Sequence, residues 1–180
     1  KNSTDVGTAL AMMGIDPYPV IASVDESWEG MWPRFRALFS NPEPFFAQVI
    51  RNAKDYNYSG YGIEFVPVDG FGTADDLTHF IDFVGNFSAV LHDNNMKLVV
   101  HQLYGASVLC SDPGRVAAAG VDWVSTLAHT YVADYDQFVN SVNRYLQMVP
   151  ADKLSVGLSR FRGAQVSNTS LTSSEVDERF

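Results

Sequence analysis

The stretch Tyr61–Val68, YGIEFVPV, with the turn Asp69-Gly70-Phe71-Gly72 and the run Thr73-Ala74-Asp75-Asp76-Leu77 behind it, decides how this chain is read. The first part is apolar along most of its length and rich in β-branched and aromatic residues, and glycines bound it. It predicts a strand buried on both faces. Thr73 is an N-cap, with Asp75 and Asp76 in the first turn of a long helix. Leu77, Phe80, Ile81, Val84, Phe87, Ser88 and Leu91 fall on one face of that helix. A doubly buried strand leading into an amphipathic helix is the repeating unit of a parallel sheet.

The unit recurs on both sides. Upstream, Tyr18–Val24 (YPVIASV) follows Asp16-Pro17 and predicts a strand, and a Trp-rich loop comes next. Asn41 and Pro42 then start a helix, as N-cap and first helical residue, that carries Phe45, Phe46, Val49, Ile50 and Ala53. Downstream, Lys97–His101 is a third strand, Asp112-Pro113 starts a short Ala-rich helix, and Val121–Thr130 is a fourth strand. Asp134 caps a helix over Tyr135–Val149, Pro150 ends it, and Leu154–Leu158 is a fifth strand. The class is α/β. A doubly wound open sheet and a closed (β/α)8 barrel both satisfy this pattern. The Gly-rich phosphate fingerprint of dinucleotide folds is absent, since Gly60, Gly62, Gly70 and Gly72 do not follow one strand and open one helix. The expectation is therefore a TIM-type barrel. Such a barrel takes about 250 residues, so about five β/α units correspond to its middle portion. No repeat or low-complexity tract divides the sequence. Residues 1–180 read as a single barrel domain, incomplete at both ends. A start at Lys1 without Met, and an end at Phe180 as a new helical pattern begins, lead us to expect part of a longer precursor.

Composition narrows the partners. Apolar residues make up 46% and charged residues 18%, an ordinary globular balance, and no stretch approaches the apolar length of a membrane span. Twelve scattered basic residues against 21 acidic ones give a net charge of -9, without the concentrated basic face that nucleic acid needs. Cys110 is the single cysteine, so no disulfide forms within the chain, and it is expected as a buried small hydrophobe. Acceptor sequons start at Asn2, Asn57, Asn86 and Asn168. Residue frequencies give roughly one by chance, so the excess points to a secreted or cell-surface glycoprotein.

The segment Tyr58–Val68 with Thr73–Val90 resembles the signature region of family 18 glycoside hydrolases, the chitinases and their relatives. There a strand ending Asp-Gly-x-Asp-x-Asp-x-Glu precedes a helix of the type Asp-x-x-Phe-x-x-x-Leu-x-x-Leu. Val121-Asp122-Trp123-Val124 is similar to the opening of that family's sixth strand, and Pro150–Leu158 to the approach to its seventh. The resemblance covers roughly residues 18 to 160. It implies a chitinase-like barrel in which one carboxylic acid protonates the leaving oxygen and the substrate's acetamido group acts as nucleophile, steadied by an Asp. Gly62 matches the motif's glycine, but its acidic positions fall on Glu64, Val66 and Val68, with valine where the acid stands. Losing such an acid typically costs 10²–10⁴-fold. The family's Met-x-Tyr-Asp is also unmatched, since an ungapped count places Leu127, His129 and Thr130 there and a shifted one places Val132 on the Asp.

Two carboxylates are fallback acids. Glu64 points inward below the strand's end, and Asp69 reaches the mouth only through a bulge. A buried partner for Glu64 and a turn role for Asp69 are the simpler readings of both. Trp28 and Trp32, in the loop after the first strand, suit stacking on sugar rings, with a plug over the core as the simpler alternative. Tyr61, His101, Gln102, Tyr104, His129 and Tyr131 complete the expected ligand-binding set at strand ends, while Trp123 is expected in the core. The two histidines lack a metal-site spacing, so neither metal nor cofactor is expected. The function implied is a pseudoenzyme: a chitinase-like domain that binds carbohydrate or serves as an extracellular scaffold, with carbohydrate or other protein chains as partners and further chain segments completing the barrel. An active hydrolase using Asp69 or Glu64 and a structural protein-interaction module are the alternatives.

Overall fold

The computed structural model describes residues 3–23, 28–67, 72–103, 105–126 and 135–157, with the backbone alone for 3–6, 28 and 29. Five described strands form one parallel sheet: β1 Val20–Ala22, β2 Gly60–Glu64, β3 Lys97–Gln102, β4 Trp123–Thr126 and β5 Leu154–Val156. Their order in space is their order in sequence, without a reversal. A doubly wound sheet needs a switch point where that order turns back; a barrel has none. The strand order thus settles what periodicity left open, and the fold is part of a β/α barrel.

The helices between the strands are α2 Trp28–Ser40, α3 Glu43–Tyr56, α4 Ala74–His92, α5 Pro113–Ala118 and α6 Tyr135–Leu146, and α1 Ser3–Met12 precedes the sheet. Helix α1 was not anticipated; it packs on α3, where Gly7 lets it approach the Tyr56 carbonyl and the Tyr58 ring. The Trp-rich segment expected as a loop is helical, despite Pro33 inside it. Its apolar Met31, Trp32, Phe35 and Phe39 supply a stripe that tertiary packing rewards more than proline penalises. Helix α3 begins one residue later than expected, with Pro42 at the N-cap and no side-chain cap.

Helix α4 starts as predicted. The Thr73 hydroxyl accepts from Asp76 N, and the Asp76 carboxylate accepts from Thr73 N at 2.8 Å, closing a capping box. The same carboxylate takes Arg36 of α2 in a two-pronged pair at 2.8 and 2.9 Å, which locks α2 to α4. That guanidinium, with the Thr73 bonds, holds Asp76 well below the usual carboxylate range against the opposing effect of burial. Between these helices and the sheet lies an aromatic core of Phe35, Phe39, Phe45, Phe46, Phe65, Phe80, Phe83 and Phe87, in which Phe46 and Phe87 stack at 5.3 Å. No described helix is long and apolar enough to cross a membrane.

Candidate functional site

Strand register divides the sheet into two faces, because successive side chains point to opposite sides. Ala22, Glu64, His101, Ser125 and Ser155 lie in one row at the C-terminal ends: Ala22 pairs with Glu64, His101 with Ser125 and Ser125 with Ser155. Val20, Gly62, Val99 and Trp123 form the row beneath. Both rows face the concave side, where Tyr18, Val20, Gly62, His101, Trp123 and Ser125 line a groove of about 500 Å³. The groove is polar at the end where barrel folds bind ligands and apolar below.

His101 is set by Gly62. A Cβ at position 62 would come within 2.8 Å of His101 Nε2 and 3.0 Å of Val20 Cγ2, so glycine gives the imidazole its seat on β2. Burial pushes the His101 pKa below the ordinary value, and the Glu64 charge opposes that shift. Glu64 is half-buried and makes no ion pair among the described residues. Its position differs from expectation: β2 ends at Glu64 rather than running to Val68, so the carboxylate stands at the strand's C-terminal end. The Ser23 hydroxyl holds that end by donating to the Glu64 carbonyl at 3.3 Å and accepting from Val66 N at 3.2 Å.

Three members of the expected ligand set face away from the groove. Tyr61 lies on the helix side, 4% exposed, and donates its hydroxyl to the Val49 carbonyl at 3.0 Å. Burial drives its pKa up to about 12. Gln102 is also on the helix side, 1% exposed, with Nε2 donating to the Leu109 carbonyl at 3.2 Å. Their odd offset from Gly62 and His101 is the cause. Trp32 is 2% exposed in the core, edge-on to Phe35 and pressed against Gly72. Its plug reading replaces the stacking one. Trp123 departs in the opposite sense: expected in the core, it faces the groove, with Lys97 Nζ 4.7 Å from its ring and Tyr18 edge-on. Strand parity relative to Gly62 was the signal for it.

Tyr104, His129, Tyr131 and Asp69, the positions Val68, Leu127, Thr130, Val132 and Asp134, the sequons at Asn2 and Asn168, and the Trp28 side chain lie outside the described residues. Asn57 and Asn86 are exposed; Asn57 is the left-handed C-cap of α3 and Asn86 is on the outer face of α4. Cys110 is fully buried, which pushes its thiol pKa up. Among the described residues no three His, Cys, Asp or Glu gather as metal ligands.

No protein-family model and no curated protein matches the sequence. Solved structures do. A chitinase from Chromobacterium violaceum superposes with a TM-score of 0.73 at 20% identity, over 88% of this chain and 54% of that one. The fold is chitinase-like. A putative sporulation-specific glycosylase from Bacillus subtilis superposes with a TM-score of 0.72 at 14% identity, over 99% of this chain and 65% of the glycosylase. A mutant of the Group II chitinase catalytic domain 2 from Ostrinia furnacalis, in complex with penta-N-acetylchitooctaose, matches with a TM-score of 0.66 at 17% identity, over 86% and 48%. This chain thus spans about half to two thirds of the length of these structures. At such identities the likeness establishes the fold, in agreement with the resemblance read from the sequence.

Proposed function

We propose that this is a chitinase-like domain that binds carbohydrate at the C-terminal ends of its strands, in a secreted or surface protein, without the hydrolytic chemistry of family 18. One observation carries the reading: counted along the sequence from Gly62, the motif's acidic positions fall on Glu64, Val66 and Val68, which puts valine at the place of the family's acid. A valine cannot protonate a leaving oxygen. The polar row of Glu64, His101, Ser125 and Ser155 above an apolar floor supports sugar binding, since pyranoses present both hydroxyls and apolar faces. Exposed Val20 and Val156 on the two edge strands support a single domain over 1–180 whose barrel further strands complete. Glycans at the exposed Asn57 and Asn86 fit the same setting.

The test is calorimetric titration of the complete protein with chito-oligosaccharides beside a hydrolysis assay on the same sugars. Binding that His101→Ala weakens, with no turnover, is the expected result. A second reading, an active hydrolase with a displaced acid, draws on Glu64 at the strand end and on Asp69 after it. Turnover abolished by Glu64→Gln or Asp69→Asn would establish it and overturn the first. Neither binding nor turnover would leave a scaffold or protein-interaction module.

A further inference from the structure

The polar row at the strand ends is open. Ile63 pairs with Val100, so the next residues along, Glu64 and His101, stand side by side, and His101 pairs with Ser125 and Ser125 with Ser155. Neighbouring strands lie about 4.8 Å apart, so the row runs about 14 Å across the head of the groove. Among the described residues, none of these four side chains has a hydrogen-bond or ion-pair partner. Ser125 is the sharpest case, because it is 5% exposed and lines the groove. Polar groups that deep are almost always bonded, and the space its hydroxyl borders is the groove itself.

The charge of the row is one-sided. Burial pushes the His101 pKa down, which leaves the imidazole neutral at neutral pH. Among the described strand residues of this face the one cation is Lys97, four residues below His101 and so about 13 Å away along β3. Its Nζ lies over the Trp123 ring instead. Glu64 thus presents a carboxylate that no described side chain of this face neutralises, in a chain of net charge -9. A carboxylate only accepts hydrogen bonds, whereas an ammonium carries three donors, a positive charge and no acceptor. An acetamido group in the same place would bring one N–H and turn a carbonyl oxygen towards the acid. We propose that this groove selects an amino sugar with a free, protonated amine over its N-acetylated form, Glu64 taking the ammonium while His101 and Ser125 bond the sugar hydroxyls.

This inference rests on the carbohydrate reading of the groove, and the test separates the two. The complete protein is titrated calorimetrically with a glucosamine trimer and with an N-acetylglucosamine trimer. The free-amine sugar is expected to bind about tenfold to a hundredfold tighter, the scale of one hydrogen bond to a charged group. That ratio is read on the unaltered protein, so it stands even where a variant fails to fold. Glu64→Gln is expected to remove most of the ratio, and Ser125→Ala to weaken both sugars. A ratio that survives Glu64→Gln overturns the proposal, because it then comes from diffuse attraction to a chain that has lost only one of its net -9 charges. Equal or tighter binding of the acetylated trimer overturns it too, and leaves the carbohydrate reading intact. Binding of neither trimer overturns both.

Discussion

The two faces of the sheet differ more than the strands that build them. On the helix side, Ile63, Leu98 and Val124 are 0% exposed, whereas on the concave side Val99, His101 and Trp123 are only partly covered and Val20 is 47% exposed. Both faces come from the same few residues in alternation. What differs is where their neighbours lie in the sequence. Helices α2 to α6 are joined to the strands they cover, so the helix side is satisfied locally. The concave face of a barrel is covered by strands opposite, and the five described here form only part of a circle.

The comparison can be broken most sharply by truncation. Phe83→Ala, in contact with Phe39, Phe45, Phe46, Phe65 and Phe87, should cost about 3–5 kcal/mol in urea unfolding. Val99→Ala on the other face should cost about 1 kcal/mol. Costs of similar size would mean that further strands cover the groove. Asp76→Ala should come next, at about 2–3 kcal/mol, because it removes both the capping box and the pair with Arg36. Since the folded Asp76 pKa is depressed, its contribution is complete above the ordinary carboxylate pKa of about 3.9 and fades as pH falls below it. Asp76→Asn should therefore flatten the acid limb of stability against pH, and an unchanged limb would refute the assignment.

Gly62→Ala should cost about 1–2 kcal/mol by forcing His101 from its seat, and should shift the imidazole resonances. The folded His101 pKa is also depressed, so its contribution is present above about pH 6.5 and is lost as pH falls through the folded value. An NMR titration placing His101 at or above about 6.5 would contradict its burial. The smallest effect belongs to Tyr61→Phe, about 1 kcal/mol for the bond to Val49. Ultraviolet titration of the folded protein should lose one late phenol near 12 in that variant.

Much of this was legible in advance. The Thr73 cap, the α4 stripe and the Asp112 cap of α5 were read correctly because each rests on residues within a turn of one another. Helix α2 was missed because Pro33 and the tryptophans outweigh, locally, a stripe whose reward comes only from α4 and the sheet. Of the expected set, His101 faces the groove while Tyr61 and Gln102 face the helices, since nearness to a strand end says nothing about which face a side chain takes.

The sequence by itself determined the α/β class, the starts of α4 and α5 and the valines at 66 and 68, because propensity, capping and residue identity are local. Only the tertiary structure decided between barrel and open sheet, brought Glu64 to the end of its strand, turned Trp123 to the groove and seated His101 on Gly62. Those outcomes depend on strand order and register, which residues far apart in the chain set together.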